Sequence, residues 1–353
     1  MKRMVIVIDC RYIGNSGIGT FVENVVDELV KHQSEHLYLL ITNTALSEKW
    51  NSSNVKALHT GARPFSLEEL FSFPSEEINR CDAFFTPYIS IPQGIKIPIF
   101  STIHDMVFFD VDGLVSPVGR LIRKLYYRRA IRKSVKIFTV SNFSKERIRH
   151  HFPTKKEIVV VCNGVSASIR AQQAKRVEKK DYFVYVGNIK KHKGLKTLVE
   201  AFSMAQERGL ATKLLIVGNS ENFRTSDNAV AGIINNNPNI EFTGWVTNEK
   251  LVQLIAEAKA LIQPSFYEGF GIPPLEALYL GTNVILSDIP AFKETYTSLP
   301  VTFFEKGNSA QLSGILQGYA PMSYDKEQIR KQIDSIYSYK LAAKIILHEM
   351  NSL

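Results

Sequence analysis

The segment PSFYEGFGIPPLEALYLG, residues 264–281, places the tightest limits on what this chain can fold into. It follows an apolar run typical of a buried strand, and Pro264 ends that strand. Gly269 and Gly271 allow a tight turn with close approach of the backbone to a ligand. Two prolines follow at positions 273 and 274, where they suit the first turn of a helix, and a glycine stands where the helix should end. The segment therefore predicts strand, turn and helix, as in a parallel α/β sheet.

The turn in this segment has the chemistry of an anion site with acidic neighbours. The backbone N–H groups around Phe270, Gly271 and Ile272 lie at a helix start, where they lack partners within the helix and favour negative charge. Glu268 enters the turn and Glu276 follows in the helix. Both acids could simply complement the helix dipole. Alternatively, the backbone would bind a phosphate while the two carboxylates accept hydrogen bonds from sugar hydroxyls, an arrangement that suits a nucleotide sugar.

Length and composition bound the class of protein. The 353 residues suffice for two domains, and the 45% hydrophobic and 22% charged content is typical of a globular chain. No apolar run approaches the roughly 18 residues that cross a bilayer, and the first strand is too short for a signal-peptide core. The chain has three cysteines without metal-like spacing, at Cys10, Cys81 and Cys162. We therefore expect a reduced, cytoplasmic setting.

The N-terminus has the pattern of a nucleotide-binding α/β unit. Residues 4–8 are all apolar, as in a strand covered on both faces. Gly14, Gly17 and Gly19 predict a flexible turn, and apolar residues then recur at helical spacing over 21–30. A glycine-rich turn with no ligand would have the same pattern.

Further apolar runs divide the chain into two halves. Residues 37–42, 82–87 and 97–105 predict more strands, and a new strand–loop–helix series starts at Tyr182. The segment between the series is polar and has no apolar period. We therefore predict an N-terminal domain, a linker, a second domain and a final helix, at 1–168, 169–181, 182–330 and 331–353.

Three segments resemble signatures of one family. Glu268 to Glu276 is similar to the EGFGxPxxE motif of retaining glycosyltransferases of family 4. VSNFSK at 140–145 and NGV at 163–165 resemble two further motifs of that family. The resemblance implies an α/β chain of the GT-B fold, with two Rossmann-like domains facing a cleft and a C-terminal helix crossing back to the first domain.

The resemblance also assigns roles. It implies that Glu268 and His104 contact the donor sugar, that Glu276 binds the ribose and that Lys193 meets the diphosphate, with Glu268, His104 and Lys193 as the catalytic set. A histidine at a strand end is often only structural. Many relatives carry a phosphate-binding arginine at position 188, where this chain has asparagine. The remaining expected donor contacts are Gly17, Gly19, Gly187, Asn188, Ser265, Phe270, Gly271 and Ile272.

The reaction implied is retaining transfer of a hexose from a nucleoside-diphosphate sugar to a glycan or lipid-linked acceptor, in polysaccharide or lipopolysaccharide biosynthesis. The donor would be of the GDP-mannose, UDP-sugar or dTDP-rhamnose type, and neither a metal nor a cofactor is expected. Asp110 and Asp112 form a DxD pattern that binds metal–diphosphate in another fold, although a solvated loop would carry it equally. The alternatives are a nucleotide-sugar epimerase or hydrolase of the same fold and a non-catalytic scaffold at the membrane.

Positive charge is concentrated in one segment. Residues 116–150 carry eleven Lys and Arg against one acid, whereas the whole chain has a net charge of +9. A basic amphipathic helix over 119–136 predicts peripheral docking to the anionic inner leaflet, on the cytoplasmic face of the membrane. A solvated helix face is the alternative, and nucleic acid is disfavoured because no known binding module accompanies the charge. The expected membrane contacts are Arg120, Arg123, Lys124, Arg128, Arg129 and Arg132.

Overall fold

The structure is a computed structural model that divides into two compact units. One unit comprises Met1–Asn163 with Tyr337–Leu353, and the other comprises Gly164–Ile336. The units divide after residues 163 and 336, against expected boundaries at 168 and 330, and the expected linker 169–181 falls inside the second unit. The residues it describes are 3–14, 16–32, 35–43, 50–172, 177–218, 232–234 and 236–352.

The first unit is built on a parallel sheet of seven strands. The order across the sheet is β3-β2-β1-β4-β5-β6-β7. The inner strands β4 and β5 are fully buried, as expected for parallel strands covered on both faces, and their few polar residues are hydroxyl-bearing. The strands are β1 Val5–Asp9, β2 Leu37–Thr42, β3 Val55–His59, β4 Ala83–Thr86, β5 Ile99–Thr102, β6 Lys136–Thr139 and β7 Ile158–Val160.

Helices follow most of these strands. The Ser116 side chain accepts a hydrogen bond from the Gly119 N–H, which caps the helix predicted over 119–136. Pro74 separates two short helices, because proline disfavours continuation of the first. The helices are α1 Ser16–His32, α2 Leu67–Phe71, α3 Ser75–Ile78, α4 Val107–Asp110, α5 Pro117–Lys133 and α6 Asn142–His151.

The second unit has a parallel sheet of six strands in the order β10-β9-β8-β11-β12-β13. The strands are β8 Tyr182–Val186, β9 Lys213–Val217, β10 Ile240–Gly244, β11 Ala260–Gln263, β12 Asn283–Ser287 and β13 Val301–Phe304. The helices are α7 Ala167–Ala171, α8 Leu195–Glu207, α9 Asn248–Glu257, α10 Ile272–Tyr279, α11 Pro290–Tyr296, α12 Ser309–Gln317 and α13 Lys326–Ile336. Two Rossmann-like parallel sheets are thus confirmed.

The last helical segment is two helices. A break near Tyr337 and Ser338 separates α13 from α14, Tyr339–Asn351. Buried residues of α14 join the apolar core of the first unit, where Tyr339 lies 6.5 Å from Phe21 of α1 between ring centroids. The chain therefore returns to its first unit at the C-terminus.

Three local features differ from the sequence pattern. α1 begins at Ser16, so Gly17 and Gly19 lie in its first turns and the flexible glycine turn predicted there is wrong for both. Only Gly14 of the three has a positive φ, 83°. Strand β3 was not predicted, because this half-exposed edge strand lacks an apolar run. The predicted linker contains part of α7, and its residues 173–176 lie outside the described part of the chain.

No helix in the described ranges combines the length and apolar content that a membrane span requires.

Candidate functional site

The candidate site in the second unit lies where the strand order of the sheet reverses. β8 and β11 are hydrogen-bonded neighbours, and successive strands run outward from them in opposite directions. Ligands of open α/β sheets bind at such a point, beyond the carboxyl ends of the strands. The segments that leave these two strand ends are 187–194 and 264–271, and both were singled out from the sequence.

These two loops pack against each other. The Phe266 N–H donates to the His192 carbonyl oxygen at 2.8 Å. Gly194 has φ +70°, and a Cβ added there would lie 1.9 Å from the Pro264 carbonyl oxygen. Any other residue at 194 would force the loops apart, because the clash is with backbone. The glycine after Lys193 thus sets the spacing of the site.

A lysine and a glutamate face each other across this contact. The Lys193 ammonium lies 2.8 Å from Oε1 and 2.7 Å from Oε2 of Glu268. The Ser265 hydroxyl donates to Glu268 Oε1 at 2.8 Å, and Gln263 Nε2 donates to the Ser265 hydroxyl at 3.3 Å. The carboxylate is thereby held by side chains of both loops. A fixed cation and a fixed anion stand side by side at the strand ends.

The start of α10 follows directly. Gly271 has φ +96°, and a Cβ there would lie 2.5 Å from the Phe292 ring. The Tyr296 hydroxyl donates to the Gly271 carbonyl oxygen. The first N–H groups of a helix have no acceptor within it, so the backbone at Phe270 to Ile272 is suited to an anion. This agrees with the pattern read from the sequence.

Glu276 is a buried residue of α10. Burial raises the pKa of its carboxyl to about 7, and the hydrogen bond from Ser166 works in the opposite direction. The Ser166 hydroxyl donates to Glu276 Oε1 at 3.3 Å. Ser166 was missed because it precedes the second domain that the sequence predicted, and no spacing in the sequence connects it to Glu276.

Two further residues expected to contact the donor lie in the loop 187–194. Gly187 directly follows β8, and its N–H donates to the Val217 carbonyl oxygen at 3.0 Å. The Tyr185 hydroxyl donates to the Asn188 carbonyl oxygen at 3.4 Å. The structure brings together Lys193, Ser265 and Glu268 through hydrogen bonds. The other predicted donor residues of this unit are Gly187, Asn188, Phe270, Gly271, Ile272 and Glu276, and their contact with a donor stays a prediction.

His104 follows β5 in the first unit. Its Nε2 lies 2.8 Å from the Pro87 carbonyl oxygen, which only accepts, so Nε2 carries the proton. Burial lowers the pKa of His104 to about 4, against the opposing effect of that hydrogen bond, so the ring is neutral at physiological pH. Its Nδ1 is then an acceptor suited to a hydroxyl group. Phe21 packs against the ring edge-on, with 5.1 Å between centroids.

Gly17 and Gly19, in α1 of the same unit, have different surroundings. Gly17 is exposed. A Cβ on Gly19 would lie 2.6 Å from the Tyr12 carbonyl oxygen. The absence of a side chain at 19 thus lets the helix start pack on the preceding turn. Donor contact by either glycine stays a prediction.

A buried ionic network after β1 was not predicted. The Arg11 guanidinium contacts Asp9 Oδ2 and Glu69 Oε1, each at 2.7 Å, and donates to the Ala62 carbonyl oxygen at 3.0 Å. All three charged side chains are buried. Removing one member would leave a buried charge unpaired. The DxR spacing hints at the first pair, but nothing in the sequence connects Glu69 to it.

The DxD pair is engaged within the first unit. Asp110 accepts from Arg147 and from His151, whose Nε2 lies 2.6 Å from Oδ1. Asp112 lies 3.5 Å from the Arg120 guanidinium. Among the described residues no cluster of three or more His, Cys, Asp or Glu is arranged to hold a metal ion. Independence of a metal stays a prediction.

The six expected membrane residues of α5 are not equivalent. Arg120 donates to the Phe109 carbonyl oxygen at 2.8 Å, and the Arg123 guanidinium lies 4.2 Å from the Phe108 ring centroid. Arg129 donates to the Ile91 carbonyl oxygen at 3.0 Å. Arg128 and Arg132 are exposed, and their side chains make no hydrogen bond or ion pair with residues that the structure describes. Lys124, the sixth, is half-buried.

Comparison with known families agrees with this geometry. The model for glycosyltransferase family 4 matches residues 78–168, and the model for glycosyl transferases group 1 matches residues 167–320. The two matches adjoin, and together they include both loops of the second-unit site. The chain belongs to the family 4 glycosyltransferases. As a member of that family it has the GT-B fold.

Individual proteins are similar to this chain in sequence or in fold. The O-antigen chain mannosyltransferase RfbU of Salmonella typhimurium is 32% identical over 203 residues, covering 56% of this chain and 54% of the relative. O-antigen chain mannosyltransferase B of Escherichia coli is 25% identical, covering 59% of this chain and 57% of the relative. The chain thus spans about half the length of these curated relatives. The crystal structure of Anabaena HepE with UDP and glucose superposes with a TM-score of 0.73 at 14% identity, covering 99% of this chain and 100% of that one.

Proposed function

We propose that this family 4 chain is a retaining glycosyltransferase that moves a hexose from a nucleoside-diphosphate sugar to a glycan or lipid-linked acceptor. The reaction would serve polysaccharide or lipopolysaccharide assembly. The observation that carries the proposal is the Lys193–Glu268 contact at the point of strand reversal, 2.7 Å between Nζ and Oε2, beside the start of α10. A cation, an acid and a helix start at one sheet edge match the charges of a nucleotide sugar.

The chemistry to be promoted is departure of the nucleoside diphosphate from the anomeric carbon. Negative charge grows on the departing phosphate oxygen, so Lys193 and the α10 amides would stabilise the transition state more than the ground state. Retention would follow if the acceptor attacks from the face that the diphosphate leaves. The acceptor oxygen bonds to the anomeric carbon as the bond between that carbon and the phosphate oxygen breaks. The acceptor's hydroxyl proton passes to the departing phosphate oxygen.

The acids would hold the donor rather than react with it. Glu268, fixed by Lys193 and Ser265, is placed to accept hydrogen bonds from sugar hydroxyls and to favour positive charge at the anomeric carbon. Glu276 would accept the ribose hydroxyls. His104, neutral and with Nδ1 as acceptor, would contact the sugar. No metal and no cofactor has a role in this proposal.

For the donor we propose GDP-mannose first, because two relatives that align with more than half of this chain are named mannosyltransferases. UDP-sugars and dTDP-rhamnose are the other candidates. A thermal-shift screen with GDP, UDP and dTDP ranks the bases, because a ligand that binds only the folded chain raises the melting temperature by mass action. GDP should give the largest shift, and a larger shift with UDP would replace the mannose assignment.

The proposal is tested by replacing the lysine. Lys193→Ala should lower turnover about a hundredfold or more, because loss of one such contact raises the activation barrier by roughly 3 kcal/mol. Lys196→Ala is the matched control, because Lys196 lies in the first turn of α8 and, among the described residues, forms an ion pair only with Glu200, at 3.9 Å. Equal rates for the two variants would refute the assignment. Product formed without acceptor would instead indicate a nucleotide-sugar hydrolase or epimerase.

The chain would bind its lipid-linked acceptor at a membrane surface. We propose that the chain docks peripherally on the cytoplasmic face, where the cationic side of α5 meets anionic inner-leaflet lipids. Arg128 and Arg132 would contact lipid headgroups directly, because their side chains are exposed, whereas the donor groups of Arg120 and Arg129 already bind carbonyl oxygens of the first unit.

A further inference from the structure

Exposed apolar side chains are concentrated on one part of the first unit. Seven of the fourteen large hydrophobic side chains that are exposed in the described residues lie on α2, its preceding residues and α5. Soluble surfaces scatter such residues singly, whereas clusters mark interaction sites. We call these seven the apolar surface: Phe65, Leu67, Phe71, Val118, Leu121, Ile122 and Leu125.

The outward side of α5 changes character along its length. Val118, Leu121, Ile122 and Leu125 recur at three- and four-residue spacing, so they share one face of the helix, and all are exposed. Continuing that spacing leads to Arg128 and Arg132, which are exposed too. The same face is therefore apolar in its first half and cationic in its second. The sequence predicted a basic amphipathic helix here, but not that the apolar residues of its first half are exposed.

The short helix α2 extends the apolar surface. Leu67 is 73% exposed and Phe71 is 81% exposed, the latter being the highest value among the large hydrophobic residues described. They are four residues apart and therefore lie on one side of the helix. Phe65 joins this helix to α5, because its ring meets that of Tyr126 edge-on at a centroid distance of 4.7 Å.

We infer that the apolar surface inserts into the interfacial layer of an anionic bilayer, with Leu67 and Phe71 entering among the acyl chains. A protein partner would need acidic groups opposite Arg128 and Arg132, whereas a bilayer offers an apolar layer bordered by anionic headgroups. The excess of eleven basic residues over one acid in 116–150 favours the bilayer. This inference deepens the membrane docking proposed above by adding an apolar anchor to the electrostatic one.

Vesicle flotation separates the two contributions. The full chain should float with vesicles of phosphatidylcholine and phosphatidylglycerol, and part of the binding should survive high salt, which screens charge but not apolar burial. Leu67→Ser/Phe71→Ser should weaken binding at least about tenfold and abolish the salt-resistant part. Arg128→Gln/Arg132→Gln should remove mainly the salt-sensitive part. Trp245→Ser/Leu341→Ser, which removes exposed apolar groups elsewhere, should bind like the unaltered chain.

Insertion depth is measured directly. In a Trp245→Phe background, the Phe71→Trp variant should shift its tryptophan emission to the blue and be quenched by lipids brominated on their acyl chains. Leu341→Trp in the same background is the control and should show neither effect. The remaining native Trp50 is buried and gives a constant signal.

Two results would overturn the inference. One is unchanged flotation of Leu67→Ser/Phe71→Ser at high salt together with no quenching at position 71. The other is concentration-dependent self-association that this double variant abolishes while vesicle binding persists, which would make the surface an interface between copies. Because neither measurement involves sugar transfer, failure here leaves the Lys193 test of the transferase proposal unaffected.

Discussion

Replacing Glu276 by Gln should make the protein more stable at high pH and leave it unchanged at low pH. The Glu276 carboxyl is buried, and burial raises its pKa from 4.5 to about 7. Below pH 4.5 the group is protonated in both the folded and the unfolded chain. Between the two values only the folded chain keeps the proton, so the free energy of unfolding falls as pH rises through this window. Gln is neutral at every pH and keeps an oxygen that accepts from Ser166.

The size of the effect follows from the pKa difference. At about 1.4 kcal/mol for each unit, the ionised Glu276 lowers stability by at most about 3 kcal/mol above pH 7. For a folding unit of this size, each kcal/mol moves the melting temperature by roughly 2–4 °C. Glu276→Gln should therefore melt several degrees above the unaltered chain at pH 8.

The assay is calorimetric melting of the nucleotide-free chain at pH 4.5 and pH 8. Glu241→Gln, an exposed glutamate of β10, is the matched control and should show the same melting difference from the parent at both values. A Glu276→Gln chain that melts like the parent at pH 8, or below it, would refute the argument that burial of this acid strains the fold. A destabilised but functional acid is the expected signature of a binding group.

The other predictions concern the two loops of the site, 187–194 and 264–271, and the helix that follows. Glu268→Gln should lower kcat about a hundredfold, whereas Glu276→Gln should mainly raise the donor KM, about tenfold. Initial-rate kinetics over a range of donor concentrations measures both constants, and the reverse pattern would refute the roles. Gly194→Ala should abolish the thermal shift given by nucleoside diphosphates, because its Cβ would meet the Pro264 carbonyl oxygen. Gly209 also has a positive φ, but a Cβ added there would meet nothing within 4 Å. The Gly209→Ala variant should therefore keep the rise in melting temperature that nucleoside diphosphates cause.

Much of the fold could be predicted from local pattern. Continuous apolar runs such as 4–8 and 260–262 indicated buried parallel strands, and proline and glycine marked the ends of α10. Both kinds of signal work because they depend on neighbouring residues alone. Strand β3 gave no such signal, because a half-exposed edge strand needs no apolar run. Gly19 had the composition of a turn, but its role is close packing against Tyr12, which is a tertiary contact.

The sequence by itself determined the two parallel sheets, the loops at their edges and the residue types at the candidate site, because strand, turn and helix preferences act over a few residues. Only the tertiary structure decided which of those residues meet. It paired Lys193 with Glu268 across 75 positions and buried Glu276 against Ser166 across 110. It also revealed that the outward side of the basic helix α5 is half apolar. Charge partners, burial and exposed surfaces depend on packing between distant segments, which no local pattern encodes.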